Sequence, residues 1–303
     1  ISRTRSRSHG SNRPTASRFF ISLCRSLNRL HGRSQEVIAV TGSSGFIGKY
    51  VVRKLERLDV KVVEIDRKYG TDITLDPIPL EHCQAVIHLA GVLGTSELFD
   101  DAERAVDVNV KGTLRVLNAA LEHRAAYVGI TMPDCWPSLY QATKLCGVRL
   151  ASAYHHAHAL PVTHVRAFNA FGLGQANGEG HPAKIVPTFA AASWRGESMP
   201  IYGNGLQTTD LVSASYIADC LVEAAIGGLP TNDQTWDAGS GIETSVLDVS
   251  QMVAEITGND SVALLKMRVG ELPDTKLCAK DFGPLSRYEF DENEFRSTVE
   301  SYR

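Results

Sequence analysis

The sequence predicts an α/β protein whose core is a doubly wound parallel sheet, with a smaller C-terminal lobe. Two observations predict this fold: short apolar runs alternate with segments of helical periodicity from residue 37 onward, and a glycine-rich turn directly follows the first run. Such alternation is typical of a parallel sheet flanked by helices. With 303 residues, 43% of them apolar, the chain can bury one large core or a core and a smaller lobe.

The elements follow from the spacing of apolar residues. Five short apolar runs are predicted as buried strands, at residues 37–40, 60–65, 85–89, 127–131 and 162–167. Between the first two runs, apolar residues recur at helical spacing and predict a helix over one face of the sheet: Ile47, Val51, Val52, Leu55 and Leu58. The glycine-rich stretch after Asn169 is predicted as a loop, and the further predicted helices span residues 109–122, 140–159 and 185–194.

Composition excludes several classes of protein. No run approaches the roughly 20 consecutive apolar residues of a membrane-spanning helix, so no membrane partner is predicted. The six cysteines form no C-x-x-C pair, and His155, His156 and His158 lack the i, i+4 spacing of a metal-binding pair. We therefore expect no metal site, reduced thiols and a cytoplasmic location.

Residues 1–35 form a basic, Arg/Ser-rich extension. They contain eight arginines, eight serines and no acidic residue, and because the whole chain has a net charge of −3, the remainder carries about −11. This composition fits a gene-boundary artefact, an organelle-targeting leader or a nucleic-acid-binding tail, and the first two are preferred to the third. The extension is therefore kept apart from the prediction of the fold.

A glycine-rich turn follows the first predicted strand. Residues 41–48 are Thr-Gly-Ser-Ser-Gly-Phe-Ile-Gly, and a predicted helix begins inside them. Glycine permits a tight turn, lets the backbone approach a pyrophosphate and removes the side chain where helix meets strand. The N-terminus of the helix offers N–H groups and a positive dipole end to phosphates. The strand before and the helix after are the context that this motif requires, so a dinucleotide site is predicted at Gly42, Ser44, Gly45, Phe46, Ile47 and Gly48.

Asp66 stands at the end of the second predicted strand, 24 residues beyond Gly42. A carboxylate at this position can accept hydrogen bonds from the adenosine ribose hydroxyls, which favours NAD over NADP. The neighbouring Arg67 keeps NADP open as an alternative, because its guanidinium is suited to a 2′-phosphate.

The chain resembles the NAD-dependent epimerase/dehydratase family, a group of extended short-chain dehydrogenase/reductases with a Rossmann fold. The resemblance spans most of residues 36–303 and depends on several matches in the family's order: the glycine turn, Asp72 with Ile73, the segment 88–91 (His-Leu-Ala-Gly), and Asn109 with Gly112 and Thr113. It implies NAD as the cofactor, contacted in addition by Asp72, Ile73, Leu89, Ala90, Gly91 and Asn109.

Tyr140 and Lys144 form a Y-x-x-x-K pair, one turn apart on the same face of a predicted helix. A free phenol has a pKa of about 10 and is a poor base at neutral pH, but a nearby ammonium favours the phenolate and lowers that pKa. The spacing therefore predicts an acid/base pair. The family resemblance implies that Tyr140 is the catalytic acid/base and that Lys144 also holds the nicotinamide ribose.

The resemblance further implies a catalytic hydroxyl at the end of the preceding strand, and Thr131 is the candidate. Only residues 132–139 separate Thr131 from Tyr140, where the family has a much longer loop, so a purely structural role for Thr131 stays open. The dehydratases of the family carry Thr-Asp-Glu at this point, whereas this chain has Thr-Met-Pro-Asp at 131–134. The missing glutamate disfavours dehydration of the usual kind. The alternative is an atypical dehydratase in which Asp134 or Cys135 supplies the acid.

Two segments resemble the family's substrate-binding motifs. Residues 166–169 resemble R-x-F-N, which implies that Phe168 lies near the nicotinamide and that Asn169 faces the substrate. Residues 268–271 resemble R-x-G-E, whose arginine, here Arg268, binds the diphosphate of a nucleotide sugar. An arginine fork suits phosphate oxygens because it donates two parallel hydrogen bonds.

Thr209 departs from the family. The segment 202–210 resembles Y-G-x-G-x-Q-x-R-D, but Thr209 occupies the place of the arginine. A neutral hydroxyl replaces a charge-assisted phosphate contact, so the substrate is bound more weakly or in a different arrangement. This departure and the short loop favour, as an alternative, a dehydrogenase or reductase acting on a smaller hydroxyl or keto substrate.

The leading hypothesis is a nucleotide-sugar epimerase that oxidises its substrate transiently to a keto-sugar and reduces it again. A non-catalytic Rossmann protein whose basic extension associates with nucleic acid is a further alternative, against which the intact Tyr140 and Lys144 argue. The family resemblance also implies a homodimer. The predicted domains are an NAD-binding domain at 36–168, to which 211–243 return, and a substrate-binding lobe formed by 169–210 and 244–303.

Overall fold

The computed structural model of the protein describes residues 36–303, and the predictions for the basic extension lie outside this range. The strands of the described range are β1 (Val37–Thr41), β2 (Lys61–Ile65), β3 (Ala85–His88), β4 (Ala126–Thr131), β5 (Val162–Ala167), β6 (Asn169–Phe171), β7 (Met199–Tyr202), β8 (Thr208–Thr209), β9 (Leu211–Ser213), β10 (Asn232–Ala238), β11 (Thr244–Ser245) and β12 (Val262–Leu265). Its α-helices are α1 (Phe46–Arg57), α2 (Ala102–Val106), α3 (Thr113–His123), α4 (Leu139–His158), α5 (Ile185–Trp194), α6 (Ala214–Ala225), α7 (Val246–Thr257) and α8 (Glu292–Glu300).

The central sheet has six parallel strands in the order β10-β5-β4-β3-β1-β2. The chain runs outward from β1 to β2, and then crosses to the other side of β1 to form β3. In a doubly wound sheet this reversal opens a crevice at the carboxyl ends of the strands, where ligands bind. The predicted fold class is confirmed, and the glycine turn after β1 lies at this crevice.

The sheet is buried on both faces. Successive side chains of a strand point to opposite sides, so each strand contributes to the core on either face. In β1, Ile38 and Val40 belong to one apolar core and Ala39 to the other. Helices α1 and α6 pack together over the first face, and α3 and α4 cover the second. Each large apolar side chain fully buried in these layers stabilises the fold by roughly 1.5–3 kcal/mol.

Strand β10 was not among the strands predicted from sequence. Its sequence, Asn-Asp-Gln-Thr-Trp-Asp-Ala, contains no apolar run, because it is an edge strand whose outer positions face solvent. It pairs in parallel with β5, and an ion pair of 2.8 Å between Arg166 and Asp237 adds to this pairing. Residues 211–243 thus supply α6 and β10 to the sheet layers, whereas the predicted division into two lobes stays a prediction.

The C-terminal elements build a smaller layer beside the carboxyl ends of the sheet. Strands β7 and β12 pair in parallel, β8 and β11 pair in antiparallel fashion, and α5 packs against α7 and α8. The indole of Trp194 donates a hydrogen bond of 2.8 Å to the backbone oxygen of Val299, which ties α5 to α8. No helix within residues 36–303 is long and apolar enough to cross a membrane.

Two histidines lie in the centre of the sheet, on the two strands that flank β4. His88 on β3 and His164 on β5 flank Gly129 of β4, and a Cβ atom at position 129 would come within 2.7 Å of the His164 ring. His88 bonds to the hydroxyls of Thr41 and Thr113, whereas neither ring nitrogen of His164, which is 2% exposed, has a partner in the described range. Burial lowers the pKa of His88 to about 3 and that of His164 to about 4.

This histidine pair predicts a loss of stability in acid. In the unfolded chain each histidine binds a proton near pH 6.5, whereas in the folded chain it does so only below about pH 4. As the pH falls between these values, each histidine therefore lowers the free energy of unfolding by roughly 1.4 kcal/mol per pH unit. In urea unfolding between pH 7 and 4.5, His164→Leu should have a shallower acid dependence than the wild type. The exposed His158→Gln is the control, and an unchanged slope in His164→Leu would contradict the prediction.

Candidate active site

The turn after β1 has no space for side chains at two of its glycines. Gly42 has a φ of 69°, and a Cβ there would come within 2.7 Å of the Ala90 nitrogen. A Cβ on Gly48 would lie 2.1 Å from the Gly42 oxygen, so α1 approaches the turn as closely as backbone allows. Helix α1 has neither a side-chain cap nor an acidic residue in its first turn. The N–H groups at its N-terminus are therefore not used by a capping side chain, and together with the positive end of the helix dipole they suit a phosphate.

Asp66 joins the end of β2 to this turn. One carboxylate oxygen accepts a hydrogen bond of 3.1 Å from the backbone nitrogen of Ser44. The other accepts a hydrogen bond of 2.9 Å from the backbone nitrogen of Lys68. A carboxylate oxygen can accept a second hydrogen bond, so Asp66 retains capacity for a ribose hydroxyl. The adjacent Arg67 is exposed.

A single cavity of about 750 Å³ runs from this turn across the carboxyl ends of the strands. The predicted residues of the turn all line it: Gly42, Ser44, Gly45, Phe46, Ile47 and Gly48. So do those predicted around the adenosine, namely Asp66, Arg67, Asp72 and Ile73. The segment after β3 contributes Leu89, Ala90 and Gly91. The glycine turn, the free helix N-terminus and the Asp66 carboxylate together fit a dinucleotide.

Asn109 is the exception among the predicted cofactor contacts, because it does not line the cavity. It is 2% exposed, and its amide accepts from the Val92 nitrogen at 2.9 Å and donates to the Val92 oxygen and the Thr143 hydroxyl. It lies in a π-helical stretch, Asp107–Gly112, between α2 and α3. The side chain thus holds the segment after Gly91 through Val92, and its direct contact with the cofactor stays a prediction.

The predicted catalytic residues line the same cavity as the glycine turn. Thr131 at the end of β4, Tyr140 and Lys144 on α4, and Phe168 after β5 all line it. Helix α4 begins one residue before Tyr140, where the Ser138 hydroxyl accepts a hydrogen bond from the Gln141 nitrogen and caps it. The hydroxyl of Thr131, which is 5% exposed, has no partner within the described residues. It is therefore available to a ligand.

The electrostatics of the pair differ from the prediction made from spacing. Burial raises the pKa of Tyr140 to about 12 and lowers the pKa of Lys144 to about 8. Exclusion of water favours the neutral form of both groups, and in this structure it outweighs the effect expected from the ammonium. Tyr140 is thus a proton donor in this state, and its action as a base requires further positive charge beside its oxygen.

The short loop between β4 and α4 turns its acid away from the cavity. Met132, Pro133 and Trp136 line the cavity, but Asp134 is exposed and accepts a hydrogen bond from the Gln141 amide. The carbonyl of the same amide accepts from the Cys135 and Trp136 nitrogens, at 2.8 and 2.6 Å. Neither Asp134 nor Cys135 lines the cavity, and burial raises the pKa of the Cys135 thiol to about 12, which makes it a weak acid.

The far end of the cavity carries the predicted substrate residues Asn169, Thr209 and Arg268. The Arg268 guanidinium pairs with the Glu271 carboxylate and lies over the Tyr202 ring, 4.9 Å from its centroid. Trp136 and Lys184 also line the cavity and were missed from sequence, and Tyr202, which lines it too, was noted only as part of the segment 202–210. The only signal for Lys184 was its position before a predicted helix. No cluster of metal-ligating side chains occurs in the part of the chain that the structure describes.

The fold and this cavity define a Rossmann-fold, dinucleotide-dependent class of protein with a Tyr/Lys pair opposite the glycine turn. The sequence matches the NAD dependent epimerase/dehydratase family over residues 38–131 and 133–227, and the chain belongs to that family. It is accordingly an NAD-dependent enzyme.

The curated relatives are distant but cover most of the chain. The UDP-glucose 4-epimerase of Mycolicibacterium smegmatis is 27% identical over 281 residues, which cover 78% of this chain and 88% of that protein. The low-salt glycan biosynthesis protein Agl12 of Haloferax volcanii is 26% identical over 289 residues, covering 77% and 87%. Among solved structures, MoeE5 in complex with UDP-glucose and NAD superposes with a TM-score of 0.74 at 25% identity, covering 87% of this chain and 97% of that one.

Proposed function

We propose that the protein is a nucleotide-sugar epimerase that oxidises its substrate transiently and reduces it again. The observation that carries this proposal is that one cavity brings together the glycine turn, the Thr131–Tyr140–Lys144 group and Arg268, while Asp134 is turned away from it. The first three suit a nucleotide sugar bound beside NAD. The last disfavours dehydration, which needs a further acid and base at the sugar.

The chain's own residues account for the proton steps. The free hydroxyl of Thr131 donates a hydrogen bond to the reacting sugar oxygen, and Tyr140 removes the proton of that hydroxyl group. Tyr140 acts as the phenolate, which the Lys144 ammonium stabilises, and becomes a neutral phenol when it takes the proton. Bound NAD would supply the hydride acceptor and donor, and a positive charge close to the site. After the keto-sugar turns its other face, Tyr140 gives the proton back.

The names of two relatives support this substrate class. The M. smegmatis relative is a UDP-glucose 4-epimerase, and MoeE5 was solved with UDP-glucose and NAD. Other relatives of similar identity are a UDP-glucuronic acid decarboxylase and a dTDP-glucose 4,6-dehydratase. The second candidate is a dehydrogenase acting on a smaller substrate, and the uncharged Thr209 in the cavity wall is the observation that favours it.

Deuterium at C4 of the sugar separates these functions. With NAD and a panel of UDP- and dTDP-hexoses labelled at C4, we expect at least one C4 epimer as product, with the deuterium retained, because the same hydride leaves and returns. Proton NMR of the product and absorbance at the NADH band are the measurements. Stoichiometric NADH would indicate net oxidation of the nucleotide sugar in place of epimerisation, a deoxy-keto-sugar would select the dehydratase, and no epimer from any sugar would contradict the proposal.

A further inference from the structure

Residues 172–184 form a strap that connects β6 to α5. Two stretches of the strap line the cavity, at 174–176 and 181–184, and residues 176–181 are exposed. Gly174 and Gly178 have φ values of 82° and 100°, and a Cβ atom at either position would meet open space. A segment with so little packing of its own can open and close without disturbing the core of the protein.

Tyr50 of α1 holds the beginning of the strap. Its hydroxyl donates a hydrogen bond of 3.0 Å to the backbone oxygen of Leu173, and a Cβ atom on Gly172 would lie 2.8 Å from the same hydroxyl. The Tyr50 ring packs edge-on against the ring of Phe46, with 5.7 Å between the centroids, and Phe46 lines the cavity. One side chain therefore joins the strap to the helix that begins at the glycine turn.

Tyr302, which follows α8, holds the strap at Gln175. Its hydroxyl donates a hydrogen bond of 2.6 Å to the backbone oxygen of Gln175, and its own nitrogen donates one of 3.2 Å to the Val299 oxygen in α8. Burial raises the pKa of Tyr50 and raises the pKa of Tyr302 to about 12. Both hydroxyls therefore stay protonated and can donate at neutral pH.

The other attachments of the strap are longer. The Glu97 carboxylate accepts a hydrogen bond of 3.4 Å from the Ala183 nitrogen, and the Thr188 hydroxyl donates one of 3.4 Å to the side-chain oxygen of Asn177. Both exceed the usual range of hydrogen-bond lengths, whereas the two tyrosine bonds lie within it. The strap is thus held most firmly beside α1, at the end of the cavity where the glycine turn lies.

Gln175 gives the strap a polar group for a ligand. The residue lines the cavity together with Gly48 and Lys49 of α1. Its buried Oε1 has no hydrogen-bond partner in the part of the chain that the structure describes. A buried acceptor without a donor is costly, so a donor that a ligand brings would stabilise the strap in this position. A dinucleotide carries such donors in its ribose hydroxyls and its carboxamide.

We propose that the strap closes over bound NAD and that the hydroxyls of Tyr50 and Tyr302 hold it closed. Neither tyrosine lines the cavity, so both are positioning residues that act on the cofactor through the backbone of the strap. Opening breaks both phenol hydrogen bonds, and each phenol should therefore slow the release of NAD. The proposal concerns the retention of the cofactor, and it does not depend on which reaction the enzyme catalyses.

The rate of cofactor release tests the two phenols. The full chain is loaded with NADH and mixed with excess NAD, and the fluorescence decay gives the dissociation rate. Tyr50→Phe and Tyr302→Phe should each raise this rate about 3- to 10-fold, and the double variant by about the product of the two effects. The association rate should change less than about twofold. Tyr154→Phe, which loses a phenol hydrogen bond to Asn118 away from the strap, is the matched control.

Proteolysis follows the strap itself. Glu179 is exposed in the middle of the strap, so a glutamate-specific protease should cut there, and mass spectrometry identifies the cut. We expect NAD to slow this cut in the wild type. In both tyrosine variants the cut should be faster than in the wild type at saturating NAD, while cleavage at the other exposed glutamates stays unchanged.

Three results would count against the strap. Equal NADH release by the wild type and both variants would overturn the role of the phenols, as would slower association with unchanged release. A cut at Glu179 that NAD does not slow would contradict closure over the cofactor. Should Tyr50→Phe not fold, Tyr302→Phe alone decides the matter. Failure of the epimerase proposal leaves these expectations as they are, since no sugar enters either measurement.

Discussion

Tyr140→Phe is expected to lower kcat by about 10²- to 10⁴-fold, the range typical of a lost general acid/base. The substitution removes one oxygen from a half-buried side chain in the middle of the cavity and leaves the ring that packs there. Without the phenol, the group assigned to take the hydroxyl proton is lost. The measurement is kcat for the epimer formed in the labelled-sugar assay.

Binding and stability should be almost unchanged in this variant. The affinities for NAD and UDP are expected to stay within about twofold, since the aromatic surface remains. Tyr154→Phe is the matched control, because Tyr154 lies on the same helix and its hydroxyl bonds to Asn118 on α3. Full turnover by Tyr140→Phe on every sugar that the wild type accepts would overturn the proton chemistry assigned to this site.

Gly48→Ala is expected to weaken NAD binding at least 100-fold, through the contact between α1 and the turn. The new Cβ would lie 2.1 Å from the Gly42 oxygen and 2.8 Å from the Ser43 oxygen, so the backbone of the turn must move. A shift of the turn displaces the N–H groups that face the phosphates. We expect the dissociation constant for NAD, measured by fluorescence quenching, to rise at least 100-fold, with a lower melting temperature.

A graded series separates this steric effect from general damage. In Gly45→Ala the Cβ would lie 3.0 Å from the Gly42 oxygen, so a weaker loss of NAD affinity is expected. In Gly147→Ala, inside α4, the nearest atom would be 3.4 Å away on Thr113, an ordinary contact. This control should bind NAD normally and be up to about 1 kcal/mol more stable, as alanine favours helix. Equal NAD affinity in all three variants would contradict a role for the turn.

The parts of the site that could be predicted from sequence are those defined by local spacing. A glycine turn between a strand and a helix, and two residues four apart on one helix, have the same geometry wherever they occur. The predicted fold class follows from apolar runs whose burial on both faces requires a layered sheet. Strand β10 escaped prediction because an edge strand needs no such run.

The features of the site that differ from the sequence predictions depend on contacts between residues that are distant in the chain. The position of Asn109 in a motif did not reveal that its amide points back to Val92. The spacing of Tyr140 and Lys144 gave no measure of how strongly burial acts on both. Lys184 reaches the same cavity as Arg268 only through the fold, because the two residues lie 84 positions apart in the chain.

The bridge that Asp66 makes between Ser44 and Lys68 has a consequence for the lifetime of the cofactor complex. The Asp66 carboxylate is already in place for the adenosine ribose before the dinucleotide binds, so binding has to order few protein groups. We therefore expect NAD to dissociate slowly. The proposed epimerase would regenerate its oxidant within each turnover and would have no need to exchange it with solution. NAD in this protein should therefore behave as a resident group that survives many catalytic cycles and accompanies the enzyme through purification.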